Sequence, residues 1–152
     1  MKLLLLIGPS GSGKSTFAER MVKDNVDWVR VNRDNIREGL MPDHIHLWYK
    51  TPDRKNLEQL VTELEYQNIW SAFDYGYNVI VDATNLTKLG RWQQFIDHGH
   101  QVLYKKFEEP LALCKFRVEE RDQIDCSYID SQYEKFQKLV IPEEYEEIRE
   151  VP

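Results

Sequence analysis

The chain is poor in the residues that mark several large classes of protein. Only 2 of its 152 residues are cysteine, and they form no C-x-x-C pair, which argues against a disulfide framework and a thiolate metal site. Its 7 glycines and 6 prolines are too few for a disordered or collagen-like chain. No apolar run approaches the roughly 20 residues of a membrane-spanning helix, and the apolar start is too short for a signal peptide. We therefore expect one soluble domain in the cytoplasm.

Positive charge is also scarce. Lys and Arg total 20 against 26 Asp and Glu, so the net charge is −6. Because affinity for long nucleic acids comes mostly from neutralising phosphates, this balance argues against a protein that coats a duplex. Any contact with a polynucleotide must be local. Much of the acid lies in the last segment, about 142–152, which we expect to be a solvated helix face or tail.

The most informative feature that is present is a phosphate-binding motif. It follows the apolar segment from Lys2 to Ile7, matches G-x-x-x-x-G-K-[ST], and comprises Gly8, Pro9, Ser10, Gly11, Ser12, Gly13, Lys14 and Ser15, with Thr16 next in the chain. A glycine loop between a strand and a helix wraps phosphates with its backbone N–H groups. Lys14 would meet the β- and γ-phosphate oxygens, and the Ser15 hydroxyl would meet Mg²⁺. The motif predicts binding of a nucleoside triphosphate with Mg²⁺; the alternative is a glycine-rich turn that binds nothing.

Apolar runs alternate with helical patterns along the whole chain. Strands are predicted near residues 2–7, 28–31, 78–82 and 102–104, with helices after each of them. This order is typical of an α/β fold: a central parallel sheet of about four strands with helices on both faces. Ligands of such sheets lie at the carboxyl ends of the strands. We expect residues 1–152 to form a single domain.

The second predicted strand ends in the polar cluster Asn32-Arg33-Asp34-Asn35-Ile36-Arg37. A carboxylate there, across from the phosphate loop, could accept the proton of an attacking hydroxyl. Arg37, one helical turn later, could hold the phosphate of the acceptor. Alternatively, Asp34 caps a short helix, and Arg37 pairs with Glu38 or with Asp34 itself.

The third predicted strand ends in Asp82, and Asn85 follows three residues later. An aliphatic strand that ends in Asp is the usual second acidic element of phosphate-loop proteins, where it orients Mg²⁺ or its water. Asn85 could donate to a ligand phosphate or hydroxyl, or could simply form a turn.

Arg117 and Arg121 lie four residues apart on the helix predicted after Pro110. An arginine that reaches the transferring phosphoryl group from a movable segment accelerates transfer by about 10³–10⁵. We therefore expect a small arginine-bearing lid at about 117–130. The alternative is a surface face paired with Glu119 or Glu120.

Together these clusters resemble the kinase domain of bacteriophage polynucleotide 5′-hydroxyl kinases. The resemblance covers nearly the whole chain, and N-R-D-x-x-R is its most specific element. It implies a P-loop kinase fold and transfer of the ATP γ-phosphate to 5′-OH ends of RNA or DNA, in nucleic-acid end repair. A phage-encoded protein would act in the host cytoplasm. In that family the acid beside the T-N pair stands where this chain has Ala83. Here the acid is Asp82, one residue earlier, so the role of Asp82 is the point on which this chain differs from the family.

The resemblance also implies roles for single residues. Lys14 and Ser15 would hold the donor phosphates and Mg²⁺, with Asp82 as a further metal residue. Asp34 would be the general base. Arg121 would stabilise the phosphoryl group during transfer, and Arg117 would bind the phosphates of the donor. The acceptor's 3′ phosphate would be bound by Arg37, Asn85 and Arg33.

Two other functions stay open from the residues alone. The same scaffold serves kinases of small metabolites or nucleosides, since a fold and a phosphate loop do not choose an acceptor. A nucleotide-dependent switch protein would need no base facing the γ-phosphate.

Phage enzymes of this type often carry a fused phosphatase with a D-x-D-x-T signature, which is absent here, so a stand-alone kinase is expected. Trp48, Tyr49 and Trp70 are the residues on which acceptor bases could stack.

Overall fold

The computed structural model describes residues 1–41, 48, 50–122 and 125–150. Five strands form one sheet in the order β2-β3-β1-β4-β5, and every pairing is parallel. The strands are β1 Lys2–Ile7, β2 Trp28–Asn32, β3 Asn78–Asp82, β4 Gln101–Lys106 and β5 Glu146–Glu147. The prediction of an α/β fold with a parallel sheet is confirmed, with a fifth strand added.

Helices connect the strands and cover both faces of the sheet. They are α1 Lys14–Asp24, α2 Arg33–Leu40, α3 Arg54–Asp74, α4 Gln93–Asp97, α5 Leu111–Asp122 and α6 Tyr128–Lys138, and a 3₁₀ turn, Leu89–Trp92, precedes α4. Within the described residues, none of these helices is both long enough and apolar enough to cross a membrane.

The apolar strands form the centre of the molecule because they are covered on both sides. From Leu3 to Ile7 every side chain of β1 is fully buried. Leu3, Leu5 and Ile7 pack with α3 and α4, whereas Leu4 and Leu6 pack with Ala18 and Met21 of α1. Burial of a leucine or isoleucine stabilises the fold by about 1.5–3 kcal/mol, so β1 fixes the frame around which the polar loops are arranged.

The C-terminal segment differs from the expected solvated tail. Glu146 and Glu147 form β5, which pairs with Leu103 and Tyr104 of β4. Tyr145, just before β5, is buried, and its hydroxyl donates to the backbone oxygen of Leu89. The strand carries no apolar pattern because both of its side chains are exposed, and backbone pairing at a sheet edge does not require one.

Candidate active site

The phosphate loop connects the centre of the sheet to the start of α1. Gly13, with φ of 97°, turns the chain into the helix, a conformation that glycine adopts without a Cβ penalty. The first hydrogen bond into α1 runs from the N–H of Phe17 to the oxygen of Gly13, 3.1 Å away. The N–H groups of Lys14, Ser15 and Thr16 therefore have no partner within the helix and point out of its positive end. This arrangement fits a bound phosphate.

Lys14 lies folded against its own loop. Its Nζ donates to the backbone oxygen of Pro9 at 2.7 Å and to the Oγ of Ser12 at 3.4 Å. Burial lowers the pKa of Lys14 to about 8, against the opposing effect of Asp82 and, more weakly, Asp34. The ammonium group is thus a partly desolvated cation, which makes it a stronger partner for a phosphate than an exposed lysine.

Helix α5 packs directly on the phosphate loop. Gly11 has φ of 78°, and a Cβ there would lie 2.4 Å from the backbone oxygen of Cys114. Arg117 donates through Nη1 to the oxygen of Gly11 at 3.1 Å. This contact explains why Arg117 lies at the loop, instead of on a surface face paired with Glu119 or Glu120.

Arg121 lies one turn farther along α5, and 63% of its side chain is exposed. It donates through Nε and Nη2 to the two carboxylate oxygens of Asp122, both at 2.8 Å. The pKa of Arg121 is raised, first by this hydrogen bond and to a lesser extent by the charge of Asp34. Residues 123–124 of the predicted lid lie outside the described residues, and α6 begins at Tyr128 within it.

Asp34 lies in the first turn of α2 and faces solvent, with 81% of its side chain exposed. It does not cap the helix, because the side chain of Asn32 does so by accepting from the N–H of Asn35 at 2.9 Å. The charge of Asp34 acts on both Lys14 and Arg121. Asp34 and the phosphate loop follow β2 and β1, whose carboxyl ends lie at the same edge of the sheet on either side of β3.

Arg37 joins Asp34 to helix α3. Its Nη1 donates to Asp34 at 2.7 Å, while its Nε and Nη2 donate to the two oxygens of Glu58, both at 3.0 Å. Only 13% of the Arg37 side chain is exposed. The guanidinium is thus held in a fixed plane beside Asp34, in the pairing that the sequence left open as an alternative, and its role in binding the acceptor's phosphate stays a prediction.

Glu58 is the acceptor on which this corner of the site depends. Besides Arg37, it accepts from Nε1 of Trp48 at 2.6 Å and from Nη2 of Arg33 at 3.2 Å. Burial acts to raise the pKa of Glu58, but the hydrogen bonds from Arg37, Trp48 and Arg33 outweigh it and lower the pKa to about 2. Glu58 is therefore a carboxylate at neutral pH.

The side chain of Arg33 points toward helix α3 and not toward solvent. Its Nη1 donates to Glu65 at 2.7 Å and to Thr62 at 3.2 Å, and its side chain is only 16% exposed. Glu65 is fully buried and also accepts from Arg91 at 2.7 Å. Because a buried carboxylate needs cationic partners, Arg33 has a structural task in joining α2 to α3. Its expected role in acceptor binding stays a prediction.

Asp82 ends β3 almost completely buried, with 2% of its side chain exposed. Its Oδ2 accepts from Nε and Nη2 of Arg30, at 2.9 and 2.6 Å, and from Nδ2 of Asn32 at 3.0 Å. All three donors bind the same carboxylate oxygen. Ser15 is exposed in the first turn of α1. Both residue types are oxygen ligands of the kind that Mg²⁺ prefers, directly or through water.

Asn85 is used within its own loop. Its side-chain nitrogen lies within hydrogen-bonding distance of the backbone oxygens of Leu6, Val81 and Ala83, and its φ is 49°. Asn is one of the few residues that tolerate this left-handed conformation. The loop is also joined to the phosphate loop, since the N–H of Gly8 donates to the oxygen of Thr84 at 3.1 Å. These contacts match the turn-forming alternative; binding of an acceptor by Asn85 stays a prediction.

Two of the tryptophans on which the acceptor's bases were expected to stack do not present a free ring to solvent. Trp48 is fully buried, and Trp70 packs against Phe95, with ring centroids 4.6 Å apart. Tyr49 lies outside the described residues. Tertiary contacts bury Trp48 fully and Trp70 in part, which the order of the residues does not reveal.

Several residues that shape the site were missed from the sequence. A signal was present for Glu65, which falls in the four-residue series of the buried side chains Val61, Ile69 and Phe73. Arg30 interrupts the strand Trp-Val-Arg-Val, which also marks it as unusual. Glu58 carries no such signal, because a glutamate on a helix is ordinarily exposed.

Comparison with known proteins adds a family and several relatives. The AAA domain family model matches residues 3–139. A protein of Autographa californica nuclear polyhedrosis virus, provisionally named a bifunctional polynucleotide kinase/RNA ligase, is 27% identical over 150 residues, which cover 91% of this chain and 21% of the viral protein.

Solved structures give a consistent picture. A chain in the structure of the Pnkp1/Rnl/Hen1 RNA repair complex is 32% identical and superposes with a TM-score of 0.72, over 90% of this chain and 44% of that one. A sugar kinase from Janibacter sp. HTCC2649 is 17% identical with a TM-score of 0.67, over 97% of this chain and 83% of that one, and shows the shared fold alone. The chain thus spans about a fifth of the viral relative and less than half of the repair-complex chain.

Proposed function

The chain belongs to the AAA domain family, whose model matches residues 3–139, and we propose that within this family it is a polynucleotide 5′-hydroxyl kinase acting in RNA repair. In this proposal it transfers the γ-phosphate of ATP to the 5′-OH end of RNA. The names of the viral and repair-complex relatives support the choice of acceptor. The structural observation that carries the proposal is that the phosphate loop after β1, Asp34 after β2 and Asp82 at the end of β3 follow neighbouring parallel strands at one edge of the sheet, with Arg37 held beside Asp34.

The proposed chemistry is a single displacement. The 5′ oxygen forms a bond to the γ-phosphorus, the bond between that phosphorus and the β,γ-bridging oxygen breaks, and ADP leaves. Asp34 takes the proton of the attacking hydroxyl, a task that suits a carboxylate exposed for 81% of its side-chain surface at the edge of the sheet that carries the phosphate loop. Arg37, held beside Asp34, binds the phosphate on the 3′ side of the acceptor's terminal nucleotide.

The donor is held by the loop and by α5. The N–H groups of Lys14, Ser15 and Thr16 bind the β-phosphate, and the Lys14 ammonium turns from Pro9 to the outer phosphates. Arg121, which lies on the surface of α5, leaves Asp122 for the transferring group, while Arg117 stays at Gly11. Mg²⁺ would be held by Ser15 and Asp82, and when bound it would neutralise charge that develops on the bridging oxygen.

An acceptor panel tests the proposal. Labelled ATP is mixed with the protein and with a 5′-OH RNA, a 5′-OH DNA, a nucleoside 3′-phosphate or simple polyols. We expect phosphate uptake by the RNA and by the nucleoside 3′-phosphate, and none by the polyols. Uptake by polyols alone would mean a small-molecule kinase, and ATP hydrolysis without any acceptor would mean a switch protein; either result refutes the proposal.

The variant Asp34→Ala tests the assignment of the base. Because Asp34 is exposed and is not the helix cap, its loss should leave the fold intact, and kcat should fall by about 10²–10⁴ while ATP affinity changes less than twofold. Asp24→Ala, at the exposed far end of α1, is the matched control and should retain full activity. Turnover of Asp34→Ala within threefold of the parent protein would rule out Asp34 as the base.

A further inference from the structure

We propose that the groove between the loop after β3 and helix α6 binds the phosphodiester backbone of the acceptor strand beyond its terminal nucleotide. We call it the lysine groove. It encloses about 480 Å³, and the residues that carry the argument line it together: Thr87, Lys88, Ser131, Glu134, Lys135 and Lys138. The inference rests on the proposed function and extends it from the end of the acceptor to the strand behind it.

Both walls of the lysine groove are fixed to the phosphate loop. On one side, the N–H of Gly8 donates to the oxygen of Thr84, at the start of the loop that carries Lys88. On the other side, the N–H of Ser10 donates to Oε1 of Gln132, on α6, at 2.8 Å. Each of the two elements that form the groove is therefore joined to the phosphate loop by a hydrogen bond, which places the groove next to that loop.

The far end of the β3 loop is also held in place. The hydroxyl of Tyr145 donates to the backbone oxygen of Leu89, directly after Lys88. Lys88 itself has φ of 54°, a left-handed conformation in which a lysine is uncommon. The wall that carries Lys88 is thus fixed at Thr84 and at Leu89, which gives the lysine a defined position beside α6.

The charge of the lysine groove is opposite to that of the protein. The chain carries −6, yet this groove has three lysines and one acid. Lys138 pairs with Glu134 at 2.7 Å, whereas Lys88 and Lys135 form no ion pair with any residue that the structure describes. Lys88, Lys135 and Lys138 are all exposed. A polyanion that reaches the site past an acidic surface would find its complementary charge here.

A single strand is the occupant that these features favour. Successive phosphates of a single strand can follow a groove lined by lysines and hydroxyls without any reading of bases. Thr87 and Ser131 supply such hydroxyls beside the lysines. Because all polynucleotides share this backbone, the groove explains how an acidic protein holds a strand locally.

The test compares acceptors of different length. The double variant Lys88→Gln/Lys135→Gln is assayed with a nucleoside 3′-phosphate and with 5′-OH single strands of 3 and 12 nucleotides, as RNA and as DNA. We expect KM for the 12-nucleotide strand to rise about tenfold at low salt, with kcat unchanged, and KM for the nucleoside 3′-phosphate to stay within twofold. Loss of two phosphate contacts should also reduce the slope of log KM against log salt by about 1.4.

A matched control separates local contact from total charge. Lys2→Gln/Lys23→Gln removes the same charge at the opposite end of the molecule, where β1 begins and α1 ends, and both lysines are exposed. We expect its KM values to match those of the parent protein. Equal KM changes in the two double variants, or equal changes for short and long acceptors, would overturn the groove.

Direct binding separates the groove from the kinase reaction. Fluorescence anisotropy with a labelled 12-nucleotide strand that already carries a 5′ phosphate needs no turnover. Tenfold weaker binding by the groove variant alone supports the proposal, and unchanged binding refutes it. If the parent protein phosphorylates the nucleoside 3′-phosphate but shows no preference for longer strands, the groove proposal fails while the proposed function stands. If the parent protein phosphorylates no 5′-OH acceptor, the proposed function fails, and the groove proposal that rests on it fails too.

Discussion

Glu58 is the residue whose replacement tests most directly how the acceptor side of the site is held together. Its carboxylate accepts hydrogen bonds from Arg37, Arg33 and Trp48, which bring α2, α3 and the segment between them to one point. Glu58→Gln keeps the shape of the side chain but removes its charge. An amide group also presents an N–H₂ to donors that need an acceptor, so at least one of these contacts must break.

The size of the effect follows from the pKa. Hydrogen bonds from Arg37, Trp48 and Arg33, which outweigh the effect of burial, depress the pKa of Glu58 from its ordinary 4.5 to about 2. At 1.36 kcal/mol per pH unit, that difference corresponds to about 3 kcal/mol of stabilisation of the charged form. The side chain is 26% exposed, so part of this is screened by water, and we expect Glu58→Gln to lower the free energy of unfolding by about 2 kcal/mol. For a domain of this size that is a fall in Tm of about 4–8 °C.

The pH dependence has a definite sign. Because the folded-state pKa lies below the unfolded-state value, the stabilisation is complete above pH 4.5 and is lost as the pH falls toward 2. The Tm difference between the parent protein and Glu58→Gln should therefore be largest near pH 7 and shrink below pH 4.5. Thermal unfolding followed by circular dichroism at pH 7 and pH 3.5 measures it.

Glu63→Gln is the matched control, since Glu63 lies on the same helix and is exposed. Its Tm should change by less than 1 °C at either pH. If Glu58→Gln also changes Tm by less than 1 °C at pH 7, or if its deficit is as large at pH 3.5 as at pH 7, the hydrogen-bonding account of this corner is refuted. We further expect kcat/KM for the acceptor to fall, because Arg37 loses the partner that fixes its plane beside Asp34.

Two further predictions concern the phosphate loop. Gly11→Ala would place a Cβ 2.4 Å from the oxygen of Cys114, so α5 must move, and the affinity for ATP measured by calorimetry should fall at least tenfold. Gly39→Ala is the control, since a Cβ there meets nothing within 4 Å, and it should leave the affinity unchanged. Equal affinities for the two variants would contradict the packing argument. Burial lowers the pKa of Lys14 to about 8, so ATP binding at pH 9 should take up close to one proton, and binding at pH 6.5 should take up almost none. Titrations in buffers of different ionisation enthalpy measure the uptake, which Lys14→Arg should abolish; the same uptake in that variant would assign the proton to another group.

The parts of the fold that the sequence predicted well are those set by local pattern. The bounds of β1 and β3 agree with prediction because each is an apolar run between polar or turn residues, and parallel strands buried on both faces require such runs. The helix start at Lys14 follows from the glycine motif itself. The confirmed α/β class follows in turn from the alternation of such elements.

The bounds of other elements depended on contacts that local pattern does not contain. The second and fourth strands extend one or more residues beyond the apolar runs, because backbone pairing with β3 and β1 continues past the last buried side chain. The helix after β4 runs to Asp122, and a further helix, α6, begins at Tyr128. In each case hydrogen bonding of the backbone, which is independent of side-chain type, decides the end of the element.

The sequence by itself determined that a phosphate loop would follow the first strand, that Asp34 would come just after the second strand, and that Asp82 would end the third. Motifs made of residues adjacent in the chain can be recognised directly from the sequence. The tertiary structure alone decided that Glu58 and Glu65 bind arginines of another element, that Asn85 is used within its loop, and that three lysines meet in one groove. The physical reason is that a charged or polar side chain is compatible with many neighbours, and only the packing of distant segments selects which of them it pairs with.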